Sequence, residues 1–499
     1  MRLRGSRAAF ATVVAIVMVA SASLGVVAAG LGAAGSFLGE KADISLTSTF
    51  YEKTLPAGQI NPYCNIGVII MCYTPDDLHV AYNYPSGLTG AGQTIVLLDA
   101  FGYPEIQSDL NTFDAVFGLP AITLQIVCQG GTCPTFHPHN ADEVSWAHEI
   151  SLDVEYSHAM APGAHLVLFV AKNDDVLNLE KAAKEAVEMF PNSILSQSFG
   201  IPELALLGAP TSYVNAVLRT GESAYSLAAE TGTTVFASAG DYGAANNAYG
   251  FSSPNPSYPS SSPLVTAVGG TEGNPYYFGS TATCSGAVCS TGLVAFKNPA
   301  ACALTNPSPP PTATCNPVGY GGEQVWSEAN FQVGGFGIAS GGAPSLLFGV
   351  PSYQKGLGLT SRATPDVSYD AAVDGGVLTY FSAVPSEAGF YITGGTSAGS
   401  PQWASITALA DQLSEEHGGT TVGFLSPALY TIGKTPAVYA STFHDITVGT
   451  NAAYPSPNGF SATPGWDDAS GWGTPNVANL VPWLVAPVSY THLTLPTKA

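Results

Sequence analysis

From about Tyr73 onward, short β-rich runs alternate with helical patterns, and this alternation limits the chain to one class of fold. Thr94-Ile-Val-Leu-Leu-Asp99 reads as a buried strand, followed by a helix from Pro104 that stops near Gly118. Next come a helix over about Asp142 to His158, a strand at His165 to Ala171 and a helix at Asp174 to Phe190. A strand at Ser193 to Ser198, a helix at Thr211 to Glu230 and a strand at Thr233 to Ser238 follow. Strands joined through helices pair in parallel, with the crossovers covering both faces of the sheet. The expectation is an α/β fold with a mainly parallel central sheet and helices on both faces. In such sheets, sites form beyond the carboxyl ends of the strands. After Tyr242 the text turns to Gly-, Ser-, Pro- and Tyr-rich loops, with Pro309 to Pro311 lying between Cys302 and Cys315. This stretch reads as an insertion held by a disulfide. A helical pattern returns at Ser400 to Glu416 and ends at His417-Gly418-Gly419; no internal repeat is visible.

At 499 residues the chain has room for about three domains on length alone. Its 46% hydrophobic content supports a large core and excludes disorder of the whole chain. The net charge of −22 argues against a nucleic-acid binder, which needs a dense basic surface. Only 10% of residues are charged. In acid, with the carboxylates protonated, only 14 Lys and Arg and nine His would carry charge, so self-repulsion stays modest. That suits a protein working at low pH.

Arg2, Arg4 and Arg7 precede an apolar stretch from Ala8 to about Val19, with small-residue cleavage sites at Ala20-Ser21-Ala22 and Val27-Ala28-Ala29. Residues 1–35 are read as a signal peptide; uncut, the run from Ala8 to Leu38 is long enough to anchor in a membrane. Residues 36–72 are read as a short N-terminal segment, 73–487 as one large domain, and the last twelve residues, 488–499, as a non-native read-through tail. The eight cysteines fall into close couples, Cys64/Cys72, Cys128/Cys133, Cys284/Cys289 and Cys302/Cys315. For an exported chain, local disulfides are the economical reading, although eight cysteines leave the connectivity open. No couple has the Cys-x-x-Cys spacing or placed His of a zinc site.

Gly394-Gly395-Thr396-Ser397-Ala398-Gly399-Ser400-Pro401 runs into a helical pattern. Small neighbours leave Ser397 accessible, and the helix start favours negative charge beside its oxygen. Taken alone, the segment is equally one more Gly/Ser loop in a chain with 55 glycines. A Ser nucleophile needs a base, yet the His-Gly-Thr segment of a subtilisin triad does not follow Asp99, and His417-Gly418-Gly419-Thr420 comes after Ser397. In Ala147-His148-Glu149-Ile150-Ser151-Leu152-Asp153, Glu149 and Asp153 stand four apart on one helix face. They are either a solvated face or a proton-sharing pair, with Glu149 as base for Ser397 and Asp153 orienting it. His148 points elsewhere around the helix and packs or faces solvent. Asp241, in Ala239-Gly240-Asp241-Tyr242-Gly243, lies just past a strand end, either as a turn residue or as a protonated donor to an oxyanion.

Together these three elements resemble the sedolisin family of serine-carboxyl peptidases. The resemblance extends through Tyr258 to Thr271, Glu323 to Ser327 and Arg362 to Ser368, and covers roughly Tyr73 to Val481. It implies a subtilisin-like fold, a triad of Glu149, Asp153 and Ser397, and Asp241 as the oxyanion-hole acid. Phe443-His-Asp445-Ile446 and Pro464-Gly465-Trp466-Asp467 provide acidic side chains and Gly-rich turns, the hard oxygen donors that Ca²⁺ prefers, or else Asp residues that merely cap turns. The family carries one structural calcium ion there, which implies Asp445 and Asp467 as side-chain ligands and Ile446, Thr463 and Gly465 as carbonyl ligands. The family usually has Gly where Thr463 stands. Its members usually carry a long folded propeptide, whereas some forty residues separate the expected signal from Tyr73.

The expectation is a secreted, monomeric, acid-acting serine endopeptidase with protein or peptide substrates, no nucleic-acid partner, and membrane contact only if the N-terminal segment stays uncut. A Glu base with an ordinary pKa near about 4.3 works around pH 4, where imidazole is fully protonated. The alternatives are a tripeptidyl-type exopeptidase on the same scaffold and a catalytically dead secreted binding protein.

Overall fold

The computed structural model describes residues 72–273, 292–295 and 318–485, together with the backbone of strands at Phe50–Lys53, Thr283–Ser285, Val288–Ser290, Val294–Lys297 and Pro317–Tyr320. The expected signal segment, the Pro309 to Pro311 insertion and the 488–499 tail lie outside the described residues. Among the described residues no helix is long and apolar enough to cross a membrane.

The central sheet is built from β1 (Thr94–Ala100), β2 (Gln125–Cys128), β3 (His165–Ala171), β4 (Ile194–Gln197), β5 (Thr234–Ser238), β6 (Thr266–Gly273), β7 (Glu323–Val325) and β8 (Val367–Asp370). Its order is β7-β6-β5-β4-β1-β3-β2, with β8 also paired to β6. All of these pairings are parallel except β6 with β7, so the mainly parallel sheet is present as expected. The helices that matter for the site are α1 (Ile106–Phe117), α2 (Ala141–Met160), α3 (Val176–Met189), α4 (Thr211–Glu230) and α5 (Gly399–Glu416).

The period-two alternation of the strands sorts side chains onto two apolar layers. Ile95, Leu97, Leu166, Leu168, Ile194 and Phe236 pack with α1, α2 and α5. Val96, Leu98, Val167, Phe169, Leu195, Val235 and Ala237 pack with α3 and α4 on the opposite face. Each large apolar side chain withdrawn from water this way contributes roughly 2 kcal/mol. Helix α2 differs from its neighbours, because every residue from Trp146 to Met160 is buried. A helix covered on all sides belongs to the interior, and this one carries Glu149, Asp153 and Glu155 into it.

The strands β2, β6, β7 and β8 were not expected from the sequence. In β6 the run Val268-Gly-Gly-Thr-Glu-Gly273 reads as loop text. A Cβ at Gly270 would come within 2.8 Å of Ala371 and 2.9 Å of Trp326, and one at Gly269 within 2.6 Å of Pro365. The glycines therefore permit close packing inside a strand rather than marking a turn.

A smaller sheet carries the chain towards Ser397. Gly376–Phe381 and Gly389–Gly394 form an antiparallel hairpin, with Cys72–Tyr73 added to one side and Phe50–Lys53 to the other. Cys128 and Cys133 are disulfide-bonded, as their spacing suggested, and Cys72 is disulfide-bonded as well. Backbone register sets Cys284 opposite Cys289. Cys64, Cys302 and Cys315 lie outside the described residues.

Candidate active site

Ser397 occupies a single 3-10 turn, Thr396–Ala398, between the hairpin strand and α5. The turn requires glycine before it: Gly395 has φ +114°, and a Cβ at Gly394 would collide with the Ala372 carbonyl. Gly399 then lets α5 begin against β6 and β8, since a Cβ there would meet Val268 at 2.7 Å and Tyr369 at 3.1 Å. The result is a serine held rigidly at a helix start, where partial positive charge accumulates. Ser397 is not accessible as its small neighbours suggested; it has 0% exposure. Small residues on both sides allow the surrounding chain to close in, with the Ser198 carbonyl 3.5 Å from its hydroxyl and Phe50 paired opposite Gly394.

The α2 carboxyls are not a solvated face: Glu149 and Asp153 are both fully buried. Alternation along β1 puts Asp99 on the same face as Ile95 and Leu97, the face that α2 covers. The same parity along β4 continues from Ile194 through Ser196 to Ser198. The Ser196 hydroxyl meets that of Ser400 at 2.8 Å, and the Ser198 hydroxyl donates to Asp153 Oδ1 at 2.8 Å. Ser198 Oγ is also 3.4 Å from the Ser397 carbonyl. One residue on α2, one strand end and the Ser397 turn are thus joined through a single side chain.

Asp241 follows β5 by three residues and is fully buried. Its Oδ1 accepts the backbone N–H and the hydroxyl of Thr396, the residue before Ser397. Thr396 Oγ1 in turn accepts from the Gly240 N–H at 3.1 Å. The four catalytic positions suggested by the sequence therefore lie on elements that converge at the carboxyl ends of β1, β4 and β5. His148 packs against the rings of Phe381 and Tyr391. Its ring stacks on Phe381 at 3.7 Å, and burial lowers its pKa to about 3.

Burial governs the electrostatics. It raises Asp153 well above the usual carboxyl range, with further increases from Asp99 and Glu149 and an opposing pull from the Ser198 hydroxyl. Asp99 is pushed up to about 8 by burial. Burial takes Asp241 to about 7, against the two Thr396 hydrogen bonds. Below neutrality this is a set of neutral acids able to donate as well as accept.

At the C-terminal turns, Asp445 Oδ1 accepts from Tyr439 at 2.8 Å and from the Gly465 N–H at 3.1 Å. Asp467 Oδ2 accepts from the Thr463 N–H at 2.7 Å, and its Oδ1 from the N–H groups of Ala469 and Ser470 at 2.9 Å. Both carboxylates thus bear on the one turn from 463 to 467, where Gly465 has φ +82° and open space at its Cβ position. Ile446 is buried beside them. Two carboxylates converging on a tight turn fit a hard divalent cation by donor type. Among the described residues no group of three or more His, Cys, Asp or Glu side chains is placed to hold a metal ion, here or elsewhere.

Sequence reasoning passed over Ser198 and Thr396 and set Asp99 aside once the subtilisin pattern failed. All three carried a signal: each lies at a strand end or next to the proposed nucleophile.

No family model matches the chain. It is 30% identical over 426 residues to kumamolisin of Bacillus sp. (strain MN-32), covering 81% of this chain and 62% of that protein. It is 26% identical over 419 residues to sedolisin of Pseudomonas sp. (strain 101), covering 82% and 60% respectively. Tripeptidyl-peptidase 1 of Rattus norvegicus matches at 28% over 366 residues, covering 68% of this chain and 52% of the relative. The chain thus spans about three fifths of the length of the first two and about half of the third. The solved structure of Pseudomonas sedolisin, a serine-carboxyl proteinase complexed with pseudo-iodotyrostatin, superposes with a TM-score of 0.62 at 25% identity, covering 84% of this chain and 99% of that one.

Proposed function

The chain belongs to the sedolisin family and has its subtilisin-like fold, and on that premise we propose that it is a secreted endopeptidase of acidic environments, with Ser397 as nucleophile. Glu149 takes the Ser397 proton as the hydroxyl oxygen attacks the substrate carbonyl carbon. Asp153 shares its proton with Glu149 and holds it in place. Asp241, protonated on its unbonded oxygen, donates to the oxyanion as the tetrahedral centre forms. Collapse of that centre breaks the C–N bond, and Glu149 returns its proton to the departing amine. Water, deprotonated by the same group, then attacks the acyl carbon, and as the bond to Ser397 Oγ breaks Glu149 gives that proton to the departing oxygen.

The observation that carries this reading is the hydrogen-bonded surroundings of the Ser397 turn, in which the acid–base side chains are the carboxyls Asp153 and Asp241. Such groups do general acid–base work in acid, where imidazole does not. Digestion of a denatured protein mixture from strongly acidic to mildly alkaline pH tests it: hydrolysis is expected in acid, none above neutrality, and none from Ser397→Ala. An alkaline optimum, or hydrolysis retained by Ser397→Ala, contradicts it. The similarity to tripeptidyl-peptidase 1 favours a second reading, an exopeptidase on the same scaffold. Product lengths from a long peptide separate the two. No labelling of Ser397 by a serine-directed inhibitor in acid would instead point to a dead scaffold.

The proposal includes one structural calcium ion. Asp445 and Asp467 would hold it through side chains, and Ile446, Thr463 and Gly465 through carbonyls, so that it cross-links the two C-terminal turns. It also includes export through the N-terminal segment and action as a monomer on protein or peptide substrates.

A further inference from the structure

Ser198 stands one residue beyond β4, on the face of the sheet that α2 covers. Its hydroxyl donates to Asp153 Oδ1 at 2.8 Å and lies 3.4 Å from the Ser397 carbonyl, while its own carbonyl accepts from Ser397 Oγ at 3.5 Å. Ser198, Asp153 and Ser397 have no exposed surface. Asp153 Oδ2, also buried, accepts from no N–H or hydroxyl donor among the described residues.

We propose that Ser198 is a positioning residue that decides which oxygen of Asp153 carries the proton shared with Glu149. This rests on the peptidase reading above. A neutral carboxyl has one O–H donor and one carbonyl acceptor. Ser198 has a single hydroxyl proton, and the 2.8 Å contact to Oδ1 claims it over the 3.4 Å contact to the Ser397 carbonyl, which makes Oδ1 the acceptor and puts the carboxyl proton on Oδ2. Without that contact the two oxygens become interchangeable, and Glu149 faces a donor only part of the time. The titratable groups that act on Asp153 are Asp99 from β1 and Glu149 one turn back on α2. Asp109 and Asp114 on α1 act on Glu155 instead.

Ser198→Ala removes a hydrogen bond that favours the ionised form, so the pair should ionise at higher pH. In pH–rate profiles on a peptide substrate the acid limb of kcat should move up by about one unit, with kcat down about tenfold and KM within about twofold. Ser198→Thr, which restores the hydroxyl, should return the limb to its original position. A Ser198→Ala enzyme that loses thermal stability but keeps the parent limb overturns the proposal, as does a Thr variant that fails to restore it. Should Ser198→Ala not fold, Ser198→Cys supplies a weak donor at similar shape and must shift the limb the same way.

An infrared titration distinguishes failure of this proposal from failure of the peptidase reading, because it needs no turnover. The carbonyl stretch of protonated Asp153, identified by its loss in Asp153→Asn, should rise in frequency in Ser198→Ala, since one hydrogen bond onto that carbonyl is gone. An unchanged frequency refutes the positioning role even if the protein hydrolyses peptides. A raised frequency upholds it even if hydrolysis is absent.

Discussion

Thr396 gives both its backbone N–H, at 2.8 Å, and its hydroxyl, at 2.7 Å, to the same oxygen of Asp241. With Oδ1 saturated, a proton on this carboxyl belongs on Oδ2, which is buried and has no hydrogen-bond partner among the described residues. Burial raises this acid to about 7, so it is a donor in acid and an anion above neutrality, where it would repel an oxyanion. Asp241→Asn keeps an acceptor for Thr396 and a donor that does not titrate. Its activity should fall about tenfold or less in acid, and the loss of turnover expected of the parent through about pH 7 should vanish. Asp241→Ala should lose about a hundredfold or more. pH–rate profiles, with folding checked by circular dichroism at each pH, measure this. An Asn variant that loses activity at the same pH as its parent removes Asp241 from the oxyanion site.

The calcium proposal makes a separate prediction. Two carboxylates directed at one five-residue turn would be tied together by a divalent cation held between them. Chelation of the purified chain should lower the melting temperature by several degrees, about 2 kcal/mol for a ligand held well above its Kd, and added Ca²⁺ should reverse the change. Asp467→Asn should start at the lower temperature and ignore the chelator. A parent protein whose melting is indifferent to both chelator and calcium would leave Asp445 and Asp467 as turn caps.

How much of this was readable in the sequence depended on whether the signal was local. Helix α4 at Thr211–Glu230 and strand β3 at His165–Ala171 were expected with those limits, because apolar periodicity and the flanking turns lie within one window. Glu149 and Asp153 were legible as a pair because a helix brings residues four apart onto one face. Strand β6 was not, because the need for Gly269 and Gly270 comes from Pro365, Ala371 and Trp326, far away in the chain. The burial of Ser397 and the link from Ser198 to Asp153 depend likewise on how α2 settles on β1 and against the Ser397 turn, a relation between segments that no local pattern records.

The interior also holds more acids than cations, and this sets how stability varies with pH. Among the described residues, Arg362 with Asp366 is the one Lys or Arg ion pair that is fully buried. By contrast, burial raises Asp99 and Glu180 to about 8, and Glu328 and Asp411 to about 7. In the unfolded chain such groups ionise near about 4. Below that pH both states hold the protons and the stabilisation is complete. Between about 4 and 7 to 8 only the folded state holds them, so each retained proton costs about 1.4 kcal/mol of stability per pH unit. Two such protons remove about 5 kcal/mol over two units, on the scale of a domain's whole stability. The melting temperature of Ser397→Ala, chosen so that the sample cannot digest itself, should therefore be highest at about pH 4 or below, fall steadily from about pH 5 to about pH 7, and level off above about pH 8. Glu180 lies outside the proposed site, and its Oε2 accepts from the Tyr225 hydroxyl at 2.7 Å. Glu180→Gln preserves that acceptor without a titrating proton, so it should flatten the decline by about one proton and gain stability at neutral pH relative to acid. Stability that holds level or rises up to pH 8 would mean that these carboxyls are ionised in the folded chain, and the protonated interior on which the proposed acid chemistry rests would be lost with it.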